Sequence, residues 1–157
     1  MAALDEAASI GAVAKPPFRF SARTRVGFSD TDAQGIVYYG RYLPYFDLAR
    51  VEYHRMLGLL GMDTGEPGVE FVLRAATLEY LAPAVFDDEI EVFVRVARIG
   101  KTSATYEFCA YRARDDELLV RATQTLVLVD LEERRARPIP DEFRGTIRGF
   151  EGDAVEL

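Results

Sequence analysis

Arg41-Tyr42-Leu43-Pro44-Tyr45-Phe46-Asp47-Leu48-Ala49-Arg50-Val51-Glu52-Tyr53-His54-Arg55-Met56-Leu57-Gly58-Leu59-Leu60 carries the longest helical repeat in this chain. Tyr42, Phe46, Ala49, Tyr53, Met56, Leu57 and Leu60 recur at three- and four-residue spacing, which lines one face of an α-helix. Pro44 bounds the start. An interior proline costs about 3 kcal/mol, whereas in the first turn its missing N–H is no loss. The helix therefore begins no earlier than about Gly40, with free N–H groups near Tyr38–Arg41. Gly58 and Gly61 supply stops, and Asp63–Gly68 reads as a loop.

No second helical pattern of that length follows. Val69–Leu81 is extended and is closed by Pro83 and an Asp87-Asp88 turn. Glu89–Arg98 alternates, with Ile90, Val92, Val94 and Val96 on one face. Gly100-Lys101 turns the chain into Thr102–Arg112, with Tyr106, Phe108 and Ala110 inward, or the opposite set. Asp115-Asp116 leads into Leu118–Asp130, where Leu118, Val120, Ala122, Leu126 and Leu128 share a face.

Upstream of the helix, Phe18, Phe20, Ala22, Thr24, Val26 and Phe28 alternate with Arg19, Ser21, Arg23, Arg25 and Gly27. That is a strand with one buried and one basic face. The arginines, together with an exposed sheet edge, point to pairing with another subunit. A strand, one long helix and four strands joined by short turns specify an α+β domain, an antiparallel sheet covering a single helix.

Met1–Lys15 is rich in small residues and runs into Pro16-Pro17, so residues 1–17 read as a flexible arm. The domain is expected over 18–145, with Pro140-Asp141-Glu142-Phe143 able to start a short helix. Residues 146–157 form a tail, of which Glu151–Leu157 is loose and acidic. A net charge of −7 argues against bulk nucleic-acid binding, though not against a local anion site. Cys109 has no partner for an intrachain disulfide, and a single histidine, His54, disfavours a metal centre or a Ser-His-Asp triad. No apolar run approaches the ~20 residues that span a bilayer, and no basic n-region precedes an apolar core at the start. A reducing, cytoplasmic setting fits these features.

Just before the helix stands Asp30-Thr31-Asp32-Ala33-Gln34-Gly35-Ile36-Val37-Tyr38-Tyr39. Two carboxylates one residue apart sit in a glycine-containing turn. Free N–H groups and the partial positive charge of a helix start can hold a developing anion, and a nearby carboxylate can act as base or nucleophile.

Asp30–Gly35, the Ile-Val-Tyr-Tyr after it, Tyr42, Phe46 and Ala49-Arg50 together resemble the signature of hotdog-fold acyl-CoA thioesterases, nearest the hydroxybenzoyl-CoA thioesterase branch. Leu78-Glu79-Tyr80-Leu81-Ala82-Pro83-Ala84, Asp88-Glu89-Ile90 and Arg98-Ile99-Gly100-Lys101-Thr102-Ser103 resemble its later strands and hairpin. The likeness runs from about Phe20 to Asp130. It implies a five-stranded antiparallel sheet wrapped around one long helix, homodimers or tetramers with active sites between subunits, and hydrolysis of an acyl-CoA to free acid and CoA. Coenzyme A is then part of the substrate; no cofactor or metal is implied.

By this resemblance Asp32 matches the catalytic carboxylate, and the Tyr39 backbone N–H matches the group that polarises the thioester carbonyl. Gly35 lets the chain approach the substrate; Val37, Tyr38 and Gly40 fall beside it. Arg98, Lys101 and Thr102 fall at a hairpin that contacts CoA phosphates in some members. The chain departs from the family in two places: Tyr-Tyr-Gly stands at 38–40 where many members have His or Asn, and the hairpin holds one Lys and one Arg.

For each residue a plainer reading stands beside this one. Asp30 is a turn holder. Tyr38 and Tyr39 side chains line an acyl pocket or simply pack. Asp47 and Glu52 pair with Arg50 or Arg55, His54 lies on the solvent or interface side of the helix, Glu107 and Cys109 have buried structural roles, and Lys101 is an ordinary turn lysine. Asp32 is nucleophile or general base. Two other functions stay open: a thioesterase acting on acyl-carrier protein, and a non-catalytic acyl-CoA-binding module.

Overall fold

The structure, a computed structural model, describes residues 14–60 and 67–157. The first thirteen residues of the expected arm, the Gly61 stop and most of the expected Asp63–Gly68 loop lie outside the described residues. The long amphipathic repeat becomes helix α1, Tyr42–Met56, entered through a 3-10 turn at Tyr39–Arg41. Pro44 falls in its first turn. Gly58 ends it at φ +73: the Gly58 N–H donates to Arg55 O and the Leu59 N–H to His54 O, a Schellman pair of bonds that consumes orphan carbonyls.

Around α1 curls one antiparallel sheet. Its strands are β1 (Ser21–Arg25), β2 (Val69–Tyr80), β3 (Glu89–Ile99), β4 (Ser103–Arg112) and β5 (Glu117–Asp130), in the order β1-β3-β4-β5-β2, with a short β6 (Arg135–Ala136) beside β5. This is the expected α+β architecture of five strands wrapped around a helix. Tyr42, Phe46, Ala49 and Tyr53 are buried against Ile90, Val92, Val94 and Val96 of β3 and Tyr106, Phe108 and Ala110 of β4, so the first of the two registers for β4 is the one formed.

Expectations of facing are corrected at Leu118, at Phe28 and at the end of α1, and at His54 as described below. Leu118 is only half-buried while Leu119 is fully enclosed, because a bulge sets Leu119 as an extra residue between Leu118 and Val120. Phe28 continues the alternation of β1 on paper, yet it is 81% exposed in a 3-10 turn at Phe28–Asp30 and stacks on Phe86. Met56, the last helical residue, and Leu60 are also exposed; beyond Gly58 it is Leu59 that turns inward. The basic face of β1 is matched within the chain: Arg23 pairs with Glu89 and Glu91, and Arg25 with Asp87 and Glu89. These arginines therefore do not need a partner subunit.

The expected loose end is ordered structure. Helix α2 runs Asp141–Glu151, so residue 145 lies inside a helix. Phe143, Ile147 and Glu151 of α2 are buried. Glu151 accepts a 2.7 Å bond from the Tyr53 hydroxyl, Arg95 donates to Ala154 O, and Glu156 is bonded through its backbone to Ala97 and Ile99. An acidic composition hid a segment that is half apolar on one face.

His54 is the clearest departure. It points into the core, 5% exposed, with Nε2 2.7 Å from the Tyr106 hydroxyl and its ring near Phe143. Burial, then the nearby Arg50 charge, lowers its pKa to about 4. The unfolded chain therefore takes up the proton first as pH falls below about 6.5, so this group lowers stability progressively between pH 6.5 and 4 and adds nothing further below that. Glu151, its pKa raised by burial, acts with the opposite sign. Denaturant titrations of wild type and His54→Gln isolate the histidine: between pH 7 and pH 4 wild type should lose about 3 kcal/mol more than the variant.

Candidate active site

The chain leaves β1 at Arg25 and is turned twice before entering α1. At the first turn the Asp30 carboxylate is 7% exposed and fully engaged. It accepts from the Gly27 N–H at 2.8 Å, the Tyr45 hydroxyl at 2.8 Å and the Arg41 guanidinium at 2.9 Å. Burial alone would raise the Asp30 pKa; the Gly27, Tyr45 and Arg41 donors outweigh it and hold the carboxyl below its usual range. Asp30 is thus the turn holder expected.

The second turn, Asp32–Ile36, is closed by Gly35 N–H to Asp32 O and Asp32 N–H to Ile36 O, both at 3.0 Å. Gly35 sits at φ +78, a conformation that costs other L-residues energy. Asp32 is half-buried; Oδ1 accepts the Gln34 N–H at 2.8 Å, leaving Oδ2 unbonded among the described residues. The Val37 N–H to Ala84 O bond then fastens this loop to the segment after β2.

Between loop, helix start and that segment opens a pocket of about 390 Å³, lined by Asp32, Gln34, Ile36, Val37, Tyr39, Tyr42, Tyr80, Leu81, Ala82 and Pro83. One carboxylate faces a largely apolar, aromatic wall. Tyr39 opens the 3-10 turn, where the first N–H groups have no intrahelical acceptor. Tyr42 is buried, and burial chiefly pushes its hydroxyl up to about 12, so it remains a protonated donor at neutral pH. A carboxylate, free N–H groups and an apolar wall can together bind an acyl carbonyl, stabilise its oxyanion and deliver a nucleophile.

The structure brings Asp32, Val37 and Tyr39 to the pocket. Gly35 shapes the turn from outside it, and Tyr38 packs its ring at 4.2 Å on Tyr39 instead of lining the wall. At Gly40 any Cβ would meet that Tyr38 ring at 2.8 Å. Arg98, Lys101 and Thr102 are not brought to the pocket within one chain. Arg25, at the loop end of β1, pairs with Glu89 at the start of β3, whereas the hairpin follows Ile99 at the far end. At ~3.3 Å per residue that strand separates them by roughly 30 Å. Arg98 pairs with Glu156, and the Lys101 carbonyl accepts from Ile139 and Arg144. Tyr80–Pro83 are the pocket residues that sequence reasoning left as scaffold; only the Leu78–Ala84 likeness pointed at them.

Asp47 and Glu52 make the helix ion pairs expected, with Arg50 and Arg55. Glu107 pairs with Arg95, and Cys109 is half-buried with its thiol pKa raised by burial. Among the described residues no group of three or more His, Cys, Asp or Glu could hold a metal ion, and no helix is long and apolar enough to cross a membrane.

The two aspartates differ in what their loss removes. Asp30→Asn strips charge from three bonds and leaves Arg41 unpaired, at a cost of about 1.5–3 kcal/mol, whereas Asp32→Asn keeps an acceptor for the Gln34 N–H and should change stability by less than about 0.5 kcal/mol. Urea unfolding of both variants checks this ordering.

A family model of the thioesterase-like superfamily matches residues 26–147. The chain is 33% identical over 126 residues to the acyl-CoA thioesterase YbgC of Haemophilus influenzae, covering 80% of this chain and 91% of that protein. It is 30% identical over 144 residues to the 1,4-dihydroxy-2-naphthoyl-CoA hydrolase of Thermosynechococcus vestitus, covering 89% of this chain and 95% of that one. A solved thioesterase of Thermus thermophilus, complexed with coenzyme A and Zn, superposes with a TM-score of 0.75 at 29% identity, over 88% of this chain and 98% of its own. Since the matched span runs from the end of β1 into α2, loop, helix and sheet together, the chain belongs to the thioesterase-like superfamily as a hotdog-fold thioester hydrolase.

Proposed function

We propose that the substrate is an acyl-CoA, hydrolysed to the free acid and CoA with Asp32 as the reacting carboxylate and the Tyr39 N–H as oxyanion donor. The observation that carries this reading is that one pocket holds both residues against a tyrosine-rich wall. Asp32 either takes a proton from water as water attacks the thioester carbon, or attacks that carbon itself to form an anhydride that water then opens. On either route a C–O bond forms, negative charge gathers on the carbonyl oxygen, and its collapse breaks the C–S bond. The proton lost by water ends on the departing CoA sulfur. A donor aimed at the oxyanion contributes around 3–4 kcal/mol to such a barrier. No separate cofactor enters this balance.

The working unit in this reading is a homodimer or tetramer in the cytoplasm. Two features support the oligomer. β2 is an edge strand with Leu73 and Tyr80 about half exposed, a ready surface for a second copy. The Lys101 hairpin lies too far from Asp32 to serve it within one chain, so contacts from it to CoA phosphates would come from the partner subunit. The lone half-buried Cys109 fits a reducing compartment.

Free-thiol release from a panel of aliphatic and aromatic acyl-CoAs, by wild type and Asp32→Asn, tests the reading. The variant should lose at least about 100-fold in kcat/KM while remaining folded. Near-normal hydrolysis by the variant would remove Asp32 from its role, and no thiol release by wild type from any member would favour a binding module.

A further inference from the structure

Tyr80 ties the end of β2 to the start of α1. It closes its strand 49% exposed, and its ring meets Tyr42 edge-on at 5.9 Å. Its hydroxyl donates to the Tyr39 carbonyl at 2.9 Å, across 41 residues of sequence. A peptide unit is planar and trans, so the Tyr39 carbonyl and the Gly40 N–H form one rigid group pointing opposite ways. Holding the carbonyl therefore fixes one of the two peptide planes that flank Tyr39. The preceding unit is fixed the same way: the Tyr38 carbonyl, coplanar with the Tyr39 N–H, accepts the Arg41 N–H at 2.9 Å. That second restraint is local to the turn, whereas the Tyr80 bond anchors the turn to the sheet.

We propose that Tyr80 is a positioning residue for thioester hydrolysis: its hydroxyl clamps the Tyr39 carbonyl to the end of β2 and so holds the Tyr39 N–H, the oxyanion donor, in its aim. The inference rests on the acyl-CoA thioesterase reading above. It assigns a catalytic consequence to a bond made by a pocket residue at the end of β2.

Tyr80→Phe keeps the ring against Tyr42 and deletes only the clamp. Steady-state hydrolysis of the best acyl-CoA of the panel, affinity for a non-hydrolysable CoA thioether and the thermal midpoint are measured for wild type and variant. An oxyanion donor lost outright costs about 100- to 1,000-fold in kcat, so a donor left in place but unclamped should cost about tenfold. KM, thioether affinity and midpoint should stay within twofold or a few degrees. A kcat within twofold of wild type overturns the proposal while leaving the thioesterase reading intact. A loss carried by KM and thioether affinity alone also overturns it, because Tyr80 would then be only a wall. A wild type inactive on the whole panel sinks the thioesterase reading and this inference with it.

Discussion

One buried carboxylate ties the scaffold to the site. Asp30 accepts from the Gly27 backbone at the exit of β1, from Tyr45 on the inner face of α1 and from Arg41 at the helix start. Three elements thus meet on one charge. That charge is stable in the interior because each of its donors is fixed by another part of the fold. Release it, and the loop that carries Asp32 loses its side-chain tie to the helix start and keeps only backbone bonds such as Val37 to Ala84. The neighbouring Asp32, by contrast, makes one side-chain bond, to the Gln34 N–H, and faces the pocket.

The sheet supplies the second constraint. α1 is only fifteen residues long and would be marginal alone; it persists because a curled sheet encloses its aromatic face. The same sheet delivers the pocket wall. Val37 is bonded to Ala84 and Tyr39 to Tyr80, so the end of β2 and the start of α1 form one rigid corner. A pocket built at such a corner is preorganised, which an oxyanion donor needs if it is to act without reorganisation. The corner also stands beside an open sheet edge, since β2 is the last strand in the sheet order.

Much of this was legible along the chain. The three- and four-residue spacing of Tyr42, Phe46, Ala49 and Tyr53, the place of Pro44, and the alternation of Ile90, Val92, Val94 and Val96 each act over one or two turns of local structure. Such patterns are set by local geometry and by the need to bury one face. They therefore give helix, strands and sheet. The Asp-x-Asp turn before a helix was legible for the same reason, as was the family likeness that separated its two carboxylates. Period-two reading failed at Phe28 because the strand ends at Arg25 and a 3-10 turn follows, and at Leu118 because a bulge shifts the count by one residue.

What tertiary structure decided was everything that depends on residues far apart in sequence. His54 became a core residue because Tyr106, fifty-two positions away, offers its hydroxyl. The acidic end became a packed helix because Glu151 found Tyr53. The pocket acquired Tyr80–Pro83 because β2 is the neighbour of β5 and ends beside the helix start, a fact of sheet order. The same order carried Lys101 to the far end of the molecule. Sequence by itself determined the elements and, by resemblance, singled out Asp32 as the candidate carboxylate. Only their packing determined its company, because hydrogen bonds and contacts act over distance in space and take no account of distance along the chain.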